Sequence, residues 1–223
     1  YILSAYVFLP RIIHFLVFVF RRNRIPRYTH APDGILADPV NIVLFGTQKQ
    51  LLRAFHEAEW HLSEPLNLRT GWKMGITFVL NRPYTHAPFS SLYLFARRQD
   101  FGFQKMIGES PRKRHHVRFW AANIDADIDI LSVRFWLRRR TVDHNRPVMW
   151  IGAATKDIGF GFSRLTYRIT HRIDSRVDEE REHIIDSLLS VRQITDINQL
   201  EANIPVIGTY VSDGRITTAW LKN

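Results

Sequence analysis

The stretch from Tyr1 to Phe20 constrains this chain more than any other. It is almost wholly apolar or aromatic, broken by Ser4, Pro10, Arg11 and His14, and it runs directly into Arg21-Arg22-Asn23-Arg24, with Arg27 close behind. About twenty apolar residues suffice to cross the hydrocarbon core as a helix. Arginines that follow such a run favour the cytoplasmic side. Two residues complicate a straight span. An arginine at the centre of a membrane helix costs roughly 3 kcal/mol on insertion scales, and Pro10 would kink the helix beside it. The run therefore reads as a kinked span with Arg11 turned toward a protein partner. A helix lying in the interface, the tail of a longer hydrophobic region and a buried core helix are the alternatives. A cleaved signal peptide fits poorly, because the basic residues follow the apolar stretch. The sequence starts at Tyr1 and not at Met, which leaves room for residues upstream. Residues 1–22 are thus expected to contact the membrane, through Arg11, Phe15, Phe18, Phe20, Arg21 and Arg22. Residues 23–37 read as a basic linker and 38–223 as the folded domain.

Beyond Asp38-Pro39 the periodicity changes. Val40 to Phe45 is a buried-strand pattern, and Gly46-Thr47 opens a helix through about Trp60, with Thr47 as N-cap and Leu51, Leu52, Phe55 and Ala58 as its apolar stripe. A short helix is possible from Trp72 to Leu80. From Ser91 on, strand patterns dominate: Leu92–Phe95, Phe101–Ile107, His115–Trp120, Val133–Leu137, Val148–Ala153 and Tyr167–Ile173 carry β-branched or aromatic residues between turn signals. Ser175 and Asp178 have capping-box spacing ahead of a second helix. Val177, Arg181, Ile184, Ile185, Leu188 and Leu189 outline its buried side. Ile207–Val211, the Asp213-Gly214 turn and Ile216–Leu221 predict a closing hairpin. The expected class is α+β, a largely antiparallel β-sheet with flanking helices behind one N-terminal hydrophobic helix.

The absence of cysteine excludes disulfides, thiolate metal sites and cysteine nucleophiles. A net charge of +10 favours an acidic partner. Beside an apolar anchor, anionic lipid is the simplest one, and a solvated basic face is the plainer reading. Arg112-Lys113-Arg114-His115-His116-Val117-Arg118 is the densest polar cluster. As a site it would hold phosphate on Arg112, Arg114, His115, His116 and Arg118, with a histidine moving a proton. If the strand starts at His115, then His116, Arg118 and Trp120 share one face and His115, Val117 and Phe119 the other. Adjacent strand histidines amid cations make a poor metal site. His56 and His61 are five apart, where a zinc helix needs four. Asp125, Asp127 and Asp129 alternate, but the glycine and glutamate of a calcium loop are missing. His171 with Asp174 and Asp157 is a weak His-carboxylate set. No metal or cofactor is expected. The pentapeptide Tyr28-Thr29-His30-Ala31-Pro32 recurs as Tyr84-Thr85-His86-Ala87-Pro88, in unrelated surroundings.

A set of segments, in order, carries a resemblance. These are Asp38 to Gly46, Arg82-Pro83-Tyr84 with Ala87-Pro88, Leu92 to Phe95 running into Arg98-Gln99-Asp100, and Phe103-Gln104-Lys105. Ser110 to Trp120, Trp150 to Thr155, Thr170 to Asp174 and Asp178 to Arg181 complete it. Together they resemble the LssY C-terminal domain family of bacterial envelope proteins. Arg-His-His-Val-Arg and Trp-x-Gly-Ala-Ala-Thr are the most specific segments. The resemblance implies a membrane setting beside modules of the DedA or acid-phosphatase type, and it transfers no catalytic residue.

The expected function is a membrane-anchored, non-catalytic accessory domain at the bacterial inner membrane, its folded part on the cytoplasmic side. It would dock on membrane lipid or other membrane-protein subunits. The alternative is a hydrolase or transferase acting on phosphate-bearing lipid or envelope glycan, with His116 or His171 as the proton carrier. Nucleic-acid binding through the basic, aromatic strands is disfavoured, since no recognised motif supports it.

Overall fold

The computed structural model describes residues 27–32, 36–64, 68–79, 84–88, 90–94, 97–108, 113–122, 146–163, 168–201 and 210–223. The expected membrane segment, the strand at Val133–Leu137, the aspartates 125, 127 and 129 and residues 207–209 of the closing hairpin's first arm lie outside them. Among the described residues no helix is long and apolar enough to cross a membrane.

The strand patterns form two sheets. The smaller has the order β2 (Leu36–Pro39), β1 (Tyr28–His30), β5 (Tyr93–Leu94), β6 (Arg97–Arg98). The larger runs β11 (Ile194–Glu201), β12 (Arg215–Leu221), β3 (Ile42–Gly46), β9 (Val148–Ser163), β8 (Arg114–Ala122), β7 (Phe101–Met106), β4 (His61–Leu62), with β10 (Arg168–Ile173) on the far half of β9. All its pairings are antiparallel except β12 with β3. The expected mostly antiparallel sheet with helices is what the chain forms.

Strand β1 falls in the stretch read as linker, and β2 begins in it. Tyr28–His30 pairs with both β2 and β5, and Thr29 and Tyr28 are buried. The aromatic and β-branched residues form a strand even among arginines and prolines. The second copy of the pentapeptide, 84–88, is a turn and not a strand.

Helix α1 (Gln48–Glu57) starts on a full capping box: Thr47 Oγ1 accepts from Gln50 N, and the Gln50 side chain accepts from Thr47 N. Its face of Leu51, Ala54 and Phe55 packs on one side of the large sheet. Phe55 stacks on Phe103 at 4.3 Å and meets Phe119 edge-on at 5.4 Å. Helix α3 (Val177–Ser190) covers the same side with Ile184, Ile185 and Leu188. Helix α2 (Leu68–Val79) lies between β4 and β5 in the chain and starts four residues before its expected start. The other side of the large sheet carries Val43, Trp120, Ile151 and Ala153, which pack against Tyr28, Leu92 and Leu94 of the small sheet region. The architecture is therefore helices, large sheet, small sheet.

Three close fits hold β9 in the middle. An added Cβ at Gly152 would lie 2.6 Å from the Phe119 ring, so only glycine fits between β3 and β8 there. Trp150 Nε1 donates to Gly46 O at 3.0 Å. Asn41, 1% exposed, extends the β3 ladder with its side chain: Oδ1 accepts from Ala154 N at 2.9 Å, and Nδ2 donates to Ala154 O at 3.0 Å. The amide thereby satisfies backbone groups of β9 between its β3 and β10 pairings.

Three expectations at the C-terminal end are corrected. The N-cap of α3 is Arg176 without a side-chain cap bond, so the Ser175 capping box does not form. Asp178 instead accepts from Asp213 N and Ser212 Oγ, bracing the turn before β12. Within the described residues β12 pairs with β11 and β3, where the local turn signal predicted a hairpin with Ile207–Val211. Leu189, placed on the buried side of α3, is exposed, and Glu180 is buried instead.

Candidate functional site

Alternation along β8 puts Arg114, His116, Arg118 and Trp120 on the small-sheet side, as the sequence predicts. The charged face is nevertheless internal. Arg114, His116 and Arg118 are 5%, 2% and 6% exposed. Strand register places their partners directly opposite: Arg114 faces Asp157, and His116 lies between Gln104 and Thr155. Arg114 Nε donates to Asp157 Oδ2 at 3.0 Å, and its Nη1 donates to Gln104 Oε1 at 2.9 Å. Gln104 Nε2 donates to Ala87 O at 2.8 Å. Arg118 Nη1 donates to Asp38 Oδ2 at 2.5 Å. Asp38 comes from β2, so this pair fastens the small sheet to the large one.

His116 sits between the two ion pairs. Its Nε2 is 2.7 Å from Thr155 Oγ1 and 3.9 Å from Asp38, and its Nδ1 is 3.6 Å from Asp157. Two guanidiniums thus meet two carboxylates around one imidazole, which balances charge inside the fold. Burial lowers the Arg114 guanidinium from its ordinary range and the Asp157 charge opposes that. Tyr210 lies near the same carboxylates; its phenol is raised by burial first and by Asp38 second. Such a network, with its charges matched and at least one hydrogen bond on each side chain, favours one strand register and one docking of the sheets.

The opposite face of β8 carries a different group. His115 Nδ1 is 2.6 Å from Glu180 Oε2 of α3, and the carboxylate is 2% exposed. The His183 ring stacks on His115 at 4.1 Å, with Trp60 beside both. A buried carboxylate on one imidazole nitrogen fixes the orientation of the ring, an arrangement used in general acid–base chemistry. Burial raises Glu180 above the usual carboxylate range, and His115 pulls it back. Burial lowers His183, followed by the charges of His115, Lys105 and Lys156.

His183 has a folded pKa below its ordinary 6.5, so the unfolded chain takes up the proton first. Its contribution is present above that value and is lost as pH falls toward the folded one. Glu180 acts oppositely, gaining stability as pH falls through its raised range. His183→Gln should therefore lose less stability than the parent between about pH 7.5 and about pH 5.5, with Glu180 common to both. Urea midpoints at the two pH values check this, and equal losses would exclude His183 as the titrating group.

The sequence-derived site residues thus separate. Arg114, His116 and Arg118 come together in the buried network, and His115 faces away from them with Glu180. Of the residues expected to hold phosphate, Arg114 and Arg118 are engaged by carboxylates of the chain itself. His171 lies on β10 opposite Phe160, while Ile173 is opposite Asp157; the His171 side chain lies outside the described residues. Asp174 accepts from Arg176 N, and this bond holds its carboxylate below the usual range. Arg112, Arg11, Phe15, Phe18, Phe20, Arg21 and Arg22 also lie outside the described residues. Gln104, Thr155, Glu180 and His183 were missed as site groups. Thr155-x-Asp157 has the two-residue spacing that matches a charged strand face, which is the available signal.

The family model described as LssY C-terminus matches residues 22–218. The chain belongs to the LssY C-terminal family. The two segments most specific to the LssY resemblance, Arg114 to Arg118 and Trp150 to Thr155, are adjacent strands in the structure, with Arg118 opposite Ala153 and His116 opposite Thr155. They meet in the buried network. No curated protein and no solved structure matches the chain.

Proposed function

We propose that this LssY C-terminal family chain is a membrane-anchored, non-catalytic accessory domain that docks on a membrane-protein complex or an anionic lipid surface. One observation carries the reading: the groups that would bind phosphate or move a proton, Arg114, His116 and Arg118, are buried and engaged by Asp157, Thr155 and Asp38. A site that captures a charged substrate needs such groups at a surface. The apolar run 1–20 with its following arginines and the net charge of +10 supply the membrane side of the proposal. The inner membrane, with the folded part facing the cytoplasm, is the setting that the arginine bias favours.

Extraction of the native protein from bacterial membranes in mild detergent tests it. The particle is sized and its components identified by mass spectrometry. Co-migration with stoichiometric membrane-protein subunits, or with bound anionic phospholipid and no turnover of it, is the expected result. A soluble, lipid-free monomer would overturn the proposal. Turnover of phosphate-bearing lipid or glycan by the purified particle would overturn the non-catalytic part and direct attention to the His115–Glu180 pair.

A further inference from the structure

Helix α2 presents an uncovered face of mixed apolar and basic character. Trp72 is 74% exposed and Ile76 43% exposed. They are four residues apart and so stack on one side of the helix. Arg69 and Lys73, also four apart and exposed, border them. Thr70, on the other side of the helix, is buried. The twelve residues contain no carboxylate, and neither the first turn nor the last compensates the helix dipole in the usual way. Lys73 Nζ lies 4.1 Å over the Tyr84 ring, a cation–π contact that leaves the side chain exposed.

An exposed tryptophan is costly in water and suited to the head-group region of a bilayer, where its ring is apolar and its N–H stays hydrated. Basic groups at the border of such a stripe meet lipid phosphate, and Gly71 and Gly75 make the isolated helix weak, so that a surface which lies along it adds order. A protein partner would equally cover Trp72 and Ile76. The absence of any acid among twelve residues, within a chain of net charge +10, selects an extended anionic surface.

We infer that α2 is a second membrane contact, lying in the interface of an anionic bilayer with Trp72 and Ile76 inserted and Arg69 and Lys73 on head-group phosphates. This rests on the membrane setting proposed above and names the element that meets the lipid. The occupant is the bilayer itself.

The full chain has no cysteine, so Ile76→Cys introduces a single thiol for a polarity-sensitive fluorophore. The labelled protein is mixed with vesicles of phosphatidylcholine alone, or of phosphatidylcholine with phosphatidylglycerol, and floated on a density gradient. Trp72 and Ile76 are exposed, so circular dichroism of the label variant and of Trp72→Ser should match the parent. With phosphatidylglycerol the label should become dehydrated and be quenched by nitroxide lipid. Trp72→Ser should reduce that signal. Arg69→Gln with Lys73→Gln should weaken the α2 contact about 10- to 30-fold, from about one basic-group contribution each. A chain that floats while the label stays in water overturns the α2 contact and leaves the membrane reading standing. A chain that does not float with either vesicle overturns both. Equal dehydration without phosphatidylglycerol, or without vesicles, overturns the anionic-lipid contact.

Discussion

Asp38→Ala should destabilise the fold by about 3–5 kcal/mol, the usual cost of removing one partner of a buried ion pair. Asp38 is 3% exposed, and its Oδ2 accepts from Arg118 Nη1 at 2.5 Å and from Thr155 Oγ1 at 3.4 Å. Alanine leaves the Arg118 charge inside without the carboxylate that faces it, in a space too closed for bulk water. Asp38→Asn keeps an acceptor and the shape but not the charge, so it should fall between the parent and alanine. The double variant Asp38→Leu with Arg118→Met should recover most of the loss, because a buried pair replaced by apolar groups of similar volume is often neutral. Urea unfolding of the four proteins measures this, with an unchanged slope as the sign that the unfolded state is the same. Because Asp38 sits on β2, Asp38→Ala should also speed hydrogen exchange in β1 and β2 before it affects β8 and β9. A loss below about 1 kcal/mol for Asp38→Ala would mean that the pair is hydrated and does not join the sheets.

Much of this arrangement was legible in the sequence, and the missing parts have separate physical causes. The two faces of β8 follow from alternation alone, and the capped start of α1 from Thr47 itself. What alternation cannot give is which face is covered. A strand reading Arg-His-His-Val-Arg suggests a solvated charged side, and here the small sheet closes over it. That cover includes strands of three and four residues, β1 and β2, inside an Arg- and Pro-rich stretch. Such segments are too short for a period of two to stand out. The ion pairs are equally silent, since Asp38 lies 80 residues from Arg118 and Asp157 lies 43 from Arg114. β11 was missed because it lies at the edge of the sheet among the described residues, largely exposed, with Asp196, Asn198 and Glu201 along it. Polar residues suit an edge and weaken the strand pattern at once. The closing hairpin failed for the opposite reason: Asp213-Gly214 is a real turn, with Gly214 at φ +76°, but β12 takes its described partners from β11 and β3.

Arg181→Met should cost about 2–4 kcal/mol and flatten the acid limb of the stability curve. The Arg181 side chain is 0% exposed, and its guanidinium forks onto Asp213, with Nη1 to Oδ1 at 2.9 Å and Nη2 to Oδ2 at 3.0 Å. Nη1 also donates to Arg215 O at 3.0 Å and to Asp178 Oδ1 at 3.2 Å. One residue therefore ties α3 to the turn that starts β12. Methionine keeps most of the volume and none of the five donors. Asp213 is 36% exposed at its side chain, so water replaces part of what is lost and the cost stays below that of Asp38→Ala. Arg181→Lys should lose nearly as much, because an ammonium cannot span both carboxylate oxygens and the Arg215 carbonyl in one geometry. The Arg181 hydrogen bond is the first cause that holds Asp213 below its ordinary 3.8, with a backbone bond from Arg215 N adding to it. A lowered folded pKa gives stability that is present above the unfolded value and lost as pH falls through the folded one. Between about pH 5 and about pH 2 the parent should thus lose more stability than Arg181→Met, and the two urea-midpoint curves should converge as Asp213 protonates. Parallel curves across that range would show that Asp213 owes its acidity to the turn backbone and that Arg181 acts through packing alone.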